Sequence, residues 1–285
     1  MLNFFRSGPD LPPTSTDPAV IRRLYERKRW SVFLSVTLGY GIFYLCRENF
    51  GVVKKPMLDA GVLTTTEMGI IGSTAFVVYA VGKLVNGFLA DRCNIRRFMA
   101  TGLLISGIAN LFFGFSHWFW LYVAMWSLSA WAQGTGSAPS VVAISQWFST
   151  KERGTRYGIW STAHSIGEGL TFVGTAVLVS RTDWTWGFWG PGIVCILAAL
   201  VLYRTLADRP ETYGLPHISV YKDDPTAARA RDATVGRVQF GALKNFALWR
   251  LGMASACMYM ARYGMNNWGV LYLQEIKGYG LEKAN

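Results

Sequence analysis

Seven long apolar runs, separated by shorter polar segments, set the organisation of the chain. A membrane-spanning helix needs about 20 predominantly apolar residues, and each run is about that long or longer. The runs lie at residues 31–53, 68–90, 98–117, 119–146, 156–180, 186–206 and 246–273. No segment has the pattern of a credible strand. We therefore predict an all-α integral membrane protein.

The polar segments divide these predicted helices into a bundle of six and one further helix. Residues 1–30 form a basic N-terminal segment, and 31–206 form a six-helix transmembrane bundle. The polar linker 207–245 then leads to the start of a second bundle at 246–285. A six-span block, a linker and a new span make up the first part of a duplicated twelve-span design. Because the sequence stops at Asn285, where an eighth span should begin, we expect a truncated product.

Basic residues are concentrated on one side of the predicted bundle. They lie before the first run, between the second and third, between the fourth and fifth, and after the sixth, whereas the other loops hold few. The positive-inside rule places the N-terminus and the linker 207–245 in the cytoplasm. This distribution accounts for the net charge of +11 without nucleic acid as a partner. Residues 1–30 lack the apolar core of a signal peptide, and Ile21–Trp30 is predicted to be a short basic helix on the membrane surface.

The clearest motif is GFLADRCNIRR, at the cytoplasmic end of the second run. Its pattern, G-x-L-A-D-R-x-x-x-R-R, resembles the signature loop of the major facilitator superfamily. The resemblance implies that superfamily's fold, here the N-terminal six-helix bundle plus the first helix of the C-terminal bundle. Asp91 is expected to meet the N-terminus of a neighbouring helix, and the arginines to hold anionic partners or lipid. The residues assigned to this gating loop are Gly87, Asp91, Arg92, Arg96 and Arg97; the alternative is an ordinary basic loop.

Ionisable residues inside the apolar runs indicate a polar cavity, because such groups are costly in lipid. They are Arg47, Lys83, His164, Glu168 and Arg262. Both arginines lie beyond the centre of their predicted spans. We take these basic residues, together with His164, as candidates for substrate binding.

The two arginines share a local pattern, because each follows a tyrosine by three residues, Tyr44 and Tyr259. If the seventh span repeats the first, Arg47 and Arg262 become counterparts across a pseudo-twofold axis. Two facing guanidinium groups suit a doubly charged oxyanion, most simply phosphate. Tyr44, Tyr79 and Tyr259 join the candidates because each precedes a basic residue by about one helical turn.

Each candidate also has a structural interpretation. The arginines could snorkel to the interface at the ends of their helices. Lys83 could pair with Glu48 or Glu168, and His164 could be a hydrogen-bonded packing residue. The scattered histidines and the four cysteines suggest no metal site or disulfide framework, and no catalytic grouping or cofactor site is found, so an enzyme is not predicted.

Five segments resemble the organophosphate:phosphate antiporters, whose members include glycerol-3-phosphate and hexose-6-phosphate carriers. They are FYLCRENF (43–50), YAVGKLVNGFLADRCN (79–94), WFSTKERGTRYGIWSTAHSIG (147–167), DRPETYGLP (208–216) and YMARYGMNNWGVLYL (259–273). The resemblance implies that Arg47 and Arg262 bind phosphate, with Lys83 and His164 as cavity partners. Glu48 and Glu168 depart from the family pattern, and either carboxylate would weaken anion binding, tune substrate choice or hold a nearby cation.

Two functional hypotheses follow from this resemblance. The first is a monomeric secondary transporter of a bacterial inner membrane that exchanges an organophosphate for inorganic phosphate by alternating access. In that mechanism phosphate offsets the repulsion between the two arginines, and the empty carrier crosses slowly. The second is a sugar-phosphate receptor that binds the same ligand and signals to a sensor kinase. The segments DRPETYGLP and NNWGVLYL are the ones that resemble the sensor branch.

Overall fold

The structure is a computed structural model that describes residues 2–232 and 235–284. Over those residues the chain is helical apart from its loops and one isolated bridge between Arg6 and Cys93. In chain order the helices are α1 Leu2–Phe5, α2 Pro18–Phe43, α3 Leu45–Asp59, α4 Thr65–Ala90, α5 Ile95–Phe115, α6 Phe119–Trp147, α7 Thr150–Arg181, α8 Trp186–Thr205, the 3-10 turn Pro210–Tyr213, α9 Ile218–Tyr221, α10 Pro225–Asp232, α11 Val235–Lys244, α12 Phe246–Glu275 and α13 Leu281–Ala284. The all-α prediction is confirmed. The expectation about Asn285 concerns a residue outside this description.

Short polar side chains cap backbone N–H groups at the start of five of the described long helices, with Asp17 at α2 and Asn245 at α12. Thr64 and Glu67 form a reciprocal capping box at the start of α4, and Ser149 and Glu152 form another at the start of α7. The side chain of Asn94 accepts a hydrogen bond from the N–H of Arg97 in α5. These caps satisfy N–H groups that have no partner inside the helix, so the loops between the helices stay short.

The first predicted span is longer than its apolar run. Helix α2 begins at Pro18, so Ile21–Trp30 is the first part of α2, and the prediction of a separate surface helix is wrong. The helix is interrupted at Tyr44, and α3 then continues to Asp59, six residues beyond the predicted end. The charged residues at both ends concealed these extensions from a count of apolar residues.

The six-helix bundle encloses two clusters of buried side chains. One runs along α2 from Tyr25 to Phe43 and includes Trp147; the other contains Phe50 and Trp126. Arg47 lies between them along α3. Helix α12 packs mainly against α3, so it covers the part of the bundle that carries Arg47.

Three helices, α4, α5 and α8, are long and apolar enough to cross a membrane by length and composition. The other long helices, α2, α6, α7 and α12, contain more polar or charged residues. Large apolar side chains lie exposed along the bundle, among them Leu38, Val77, Phe112 and Leu170. Exposed apolar patches of this extent mark a surface that meets lipid or another protein.

The first part of the predicted linker is packed onto the bundle. The carboxylate of Asp208 accepts hydrogen bonds from the N–H of Ile95 and the amide of Asn94, and burial raises its pKa. Asp224 accepts a hydrogen bond from the N–H of Thr150 at 2.6 Å. That bond and further backbone hydrogen bonds lower the pKa of Asp224 to about 2. Each aspartate thus caps the N-terminus of a distant helix, α5 or α7, where a negative charge is stabilised.

Candidate functional site

Arg47 lies in the first turn of α3, and its guanidinium group is enclosed by aromatic rings. Its side chain is 11% exposed. Nη2 donates a hydrogen bond of 3.0 Å to the hydroxyl of Tyr263. The guanidinium carbon lies 4.3 Å from the ring centroid of Tyr79 and 5.0 Å from that of Tyr44. Nε is 3.8 Å from a carboxylate oxygen of Glu48. The arginine therefore points into the bundle and does not snorkel.

Arg262 lies on α12 and forms an ion pair with Glu168 of α7. The amide of Asn266 donates to the other oxygen of the same carboxylate. Nη1 of Arg262 is 3.4 Å from Nε2 of His164. The other ring nitrogen of His164 contacts the carbonyl of Ser161, so this histidine both packs on its own helix and contacts Arg262. These contacts join α7 to α12 at the level of the arginines.

Aromatic side chains connect the two arginines. The ring of Tyr44, which faces Arg47, lies 6.0 Å from the ring of His164, which faces Arg262. Tyr259 stacks on Tyr263 with centroids 5.7 Å apart. The structure therefore brings together six of the seven residues predicted to bind substrate, namely Arg47, Arg262, His164, Tyr44, Tyr79 and Tyr259.

A small cavity adjoins Arg47. Its volume is about 50 Å³, and its lining includes Glu48, Tyr79, Gln133 and Tyr263. One water needs roughly 10–15 Å³ of such space, so the cavity admits a few waters but no sugar phosphate.

Lys83 lies at the edge of this cluster. It is exposed and lines a groove with Gln239 and Trp249. Its Nζ lies 5.6 Å from the ring centroid of Tyr79, and a hydrogen bond joins the two side chains. No ion pair joins it to Glu48 or Glu168 among the described residues. A role of Lys83 in the cavity stays a prediction, and Tyr79 is the residue that connects it to Arg47.

Lys54 belongs to the site region, although the sequence placed it in a loop. It is 1% exposed, its Nζ donates to the carbonyl of Asn267 at 2.6 Å, and it lies 3.7 Å from the ring centroid of Trp268. The spacing contains the signal that was missed, since Lys54 follows Arg47 by seven residues and so lies on the same face of a helix. Tyr263 was missed as well, although it directly follows Arg262.

The predicted gating loop contacts the linker and the N-terminal segment. Asp91 accepts a hydrogen bond of 2.8 Å from the amide of Gln239 in α11. Among the described contacts it is Asp208, and not Asp91 as predicted, that caps the N-terminus of the neighbouring helix α5. Arg92 donates to the same glutamine at 3.3 Å. The remaining members share no single partner: Arg97 donates to the carbonyl of Phe4, Arg96 lies over the ring of Tyr203, and a Cβ at Gly87 would meet no atom within 4 Å.

Comparison with known proteins gives a family match over most of the chain. The model of the Major Facilitator Superfamily matches residues 36–284. A probable hexose phosphate transport protein of Chlamydia trachomatis is 36% identical over 284 residues, which cover 95% of this chain and 62% of that protein. The membrane sensor protein UhpC of Salmonella typhimurium is 32% identical, with 100% of this chain and 65% of that protein covered. The chain thus spans less than two thirds of the length of these curated relatives.

A solved structure supports the fold. A bacterial homologue of the human lysosomal transporter Spinster, in an inward-facing and unoccupied conformation, aligns with a TM-score of 0.71 and 20% sequence identity. The alignment covers 90% of this chain and 58% of that one. At this identity the similarity concerns the arrangement of helices and not the ligand.

Proposed function

The chain belongs to the Major Facilitator Superfamily, and on that premise we propose that it is a secondary transporter exchanging an organophosphate for inorganic phosphate. The superfamily fold makes it an integral membrane protein. The substrate we favour is a sugar phosphate, because relatives that cover nearly the whole chain are named as hexose phosphate transport proteins. Glycerol-3-phosphate is the other organophosphate that the sequence resemblance implies.

The observation that carries the proposal is the single polar cluster around Arg47 and Arg262. Both guanidinium groups reach it from different helices, α3 and α12, and both stand beside tyrosine or histidine rings. A phosphate dianion accepts charge-assisted hydrogen bonds from two such groups, which are about twice as strong as neutral ones. Nearby hydroxyl groups, such as that of Tyr263, add donors for the remaining oxygens.

Transport would require α12 to separate from α3 and α7 and to close again around the ligand. The contacts between Arg262 and Glu168 and between Lys54 and Asn267 join these helices. A ligand that replaces such contacts shifts the population between open and closed arrangements only by its difference in affinity for them. Alternating access by this route is part of the proposal.

The surroundings of the protein are also proposed. The bacterial relatives favour a plasma membrane, and the basic loops favour a cytoplasmic N-terminus. We expect a monomer, with organophosphate and phosphate as its ligands.

A second candidate function is a sugar-phosphate receptor. The observation in its favour is the similarity, over the entire chain, to a protein named as the membrane sensor UhpC. A receptor would use the same arginines but would couple ligand binding to a partner, such as a sensor kinase, and would transport slowly.

Uptake measurements separate these functions. The protein encoded by the complete reading frame would be reconstituted into liposomes with or without internal phosphate, and labelled glucose-6-phosphate or glycerol-3-phosphate would be added outside. Uptake that is markedly faster with internal phosphate supports exchange, and the faster label identifies the substrate. Saturable binding without uptake would favour the receptor. If the protein shows no uptake and no binding, both functions are refuted.

A further inference from the structure

Arg262 already binds an anionic group within the protein, a carboxylate, which accepts hydrogen bonds as a phosphate does. Glu168 forms an ion pair with Arg262, and its second oxygen accepts a hydrogen bond from the amide of Asn266. The Glu168 side chain is 13% exposed. Both oxygens are thus engaged, in the position where the proposed function places a phosphate oxygen.

We propose that Glu168 acts as an intrinsic counter-anion: it occupies Arg262 in the unliganded protein, and phosphate binds by displacing it. This inference rests on the proposed function and concerns the same site. The carboxylate and a phosphate oxygen compete for one guanidinium fork, because both accept the same pair of N–H groups.

The charges around the site support displacement. The Arg262 guanidinium group already has the Glu168 carboxylate as its counter-charge. A phosphate dianion at the same guanidinium group would lie beside that carboxylate, and two neighbouring anions repel each other. Moving Glu168 away from Arg262 relieves that repulsion and frees the donors.

Glu48 does not have the same relation to Arg47. Its carboxylate lies 3.8 Å from Nε, on the side of the guanidinium group, while Nη2 is bound to the neutral hydroxyl of Tyr263. Phosphate can therefore replace the Tyr263 hydroxyl at Nη2 of Arg47 while Glu48 stays beside Nε, but it must replace a carboxylate at Nη2 of Arg262.

The presence of Glu168 also changes the expected behaviour of the empty protein. The simple repulsion mechanism requires two uncompensated arginines when no ligand is bound. Here Arg262 already has a counter-charge from α7, so the empty protein can hold α7 and α12 together without phosphate.

Phosphate binding to the purified protein tests the inference. If Arg262 is free about one tenth of the time, the apparent Kd exceeds the intrinsic Kd about tenfold. The variant Glu168→Gln keeps the shape and the hydrogen bond to Asn266 but removes the charge. We expect it to bind inorganic phosphate roughly tenfold more tightly by isothermal titration calorimetry.

Two further variants make the result specific. Asn266→Ala loosens the hold on Glu168 and is expected to give a smaller gain, roughly two- to threefold. Glu275→Gln removes one negative charge at the end of α12, near Lys55 and outside the cluster, and is expected to leave the Kd unchanged within about twofold. A thermal unfolding transition checks that each variant is folded.

The outcomes distinguish the two proposals. Phosphate binding by the unchanged protein, with no gain or a loss in Glu168→Gln, would show that Glu168 positions Arg262 for the ligand and would overturn the inference alone. An equal gain in Glu275→Gln would reduce it to a net-charge effect and overturn it as well. Absence of phosphate and glucose-6-phosphate binding in every variant would overturn the proposed function and the inference together.

Discussion

At the scale of single residues, the geometry of the Arg47 side chain limits what can replace it. One N–H of its guanidinium group donates to the hydroxyl of Tyr263, and the rings of Tyr44 and Tyr79 lie beside the group. A lysine carries the same charge but only a compact ammonium group that neither forms a bidentate fork nor stacks in the same way. Replacing Arg47 by lysine therefore keeps the positive charge and removes the bidentate hydrogen-bonding geometry, so the two contributions can be measured separately.

We predict that Arg47→Lys weakens phosphate binding by roughly ten- to hundredfold. Hydrogen bonds to charged groups contribute about 1.5–3 kcal/mol, and each 1.4 kcal/mol is about tenfold in Kd. Calorimetric titration with inorganic phosphate measures the change, and uptake into phosphate-loaded liposomes should fall with it. Arg250→Lys, at an exposed position on α12, is the matched control; equal effects in both variants would argue against a phosphate contact at Arg47.

The sequence predicted which residues carry the relevant chemistry better than it predicted which way their side chains point. The depth of Arg47 and Arg262 and the tyrosines before them were enough to group them correctly. The role of Lys83 could not be derived from the sequence, because a largely apolar helix such as α4 offers no polar face from which to infer the orientation of a side chain. Lys54 was misplaced because a charge near the end of an apolar run is usually in a loop; its spacing from Arg47 indicates the shared helix face, and its contacts with Asn267 and Trp268 confirm it.

At the scale of the helices, α2 and α7 approach each other through two glycines. A Cβ added to Gly167 would lie 2.3 Å from the carbonyl oxygen of Gly41, well inside contact distance. The obstacle is backbone and cannot rotate away. This close approach sets the spacing of α2 and α7 near His164 and Glu168, so it also positions the candidate site.

We predict that Gly167→Ala destabilises the protein by about 1–3 kcal/mol, the usual cost of overpacking. Gly169→Ala, two residues further along α7, is the control, because a Cβ there would meet nothing within 4 Å. It should stabilise by up to about 1 kcal/mol, since alanine favours a helix over glycine. Thermal unfolding in one detergent should therefore shift in opposite directions for the two variants; a common direction would show that the helices separate easily at this point.

The positions of the helices were predictable from apolar runs, but the packing of the segments between them was not. The linker's contacts depend on residues far apart in sequence, such as Asp208 with Ile95 and Asp224 with Thr150. Each aspartate looks like an ordinary polar linker residue until the N-terminus that it caps is known. The same applies to Gln239: its amide donates to Asp91, which the motif had predicted to contact the N-terminus of a neighbouring helix.

At the scale of the whole molecule, α2 and α3 together link two opposite sides of the bundle. They extend from Pro18 to Asp59 with a single interruption at Tyr44. At about 1.5 Å per residue this path is roughly 60 Å long, about twice the thickness of the hydrocarbon core. Its basic first part must therefore lie in water on one side, and its end beyond Lys55 in water on the other.

This geometry, with the positive-inside rule, predicts which side each end occupies. With the four native cysteines replaced by serine, a single cysteine in Asp59→Cys should react with a membrane-impermeant maleimide in intact cells. Thr16→Cys, which precedes α2 and is also exposed, should react only after the cells are permeabilised. The pair controls for reactivity, because both positions are exposed and lie at or close to a helix end. The reverse pattern would place the basic loops outside and contradict the proposed orientation. Labelling of both in intact cells would mean that the basic half of α2 does not remain on the cytoplasmic side.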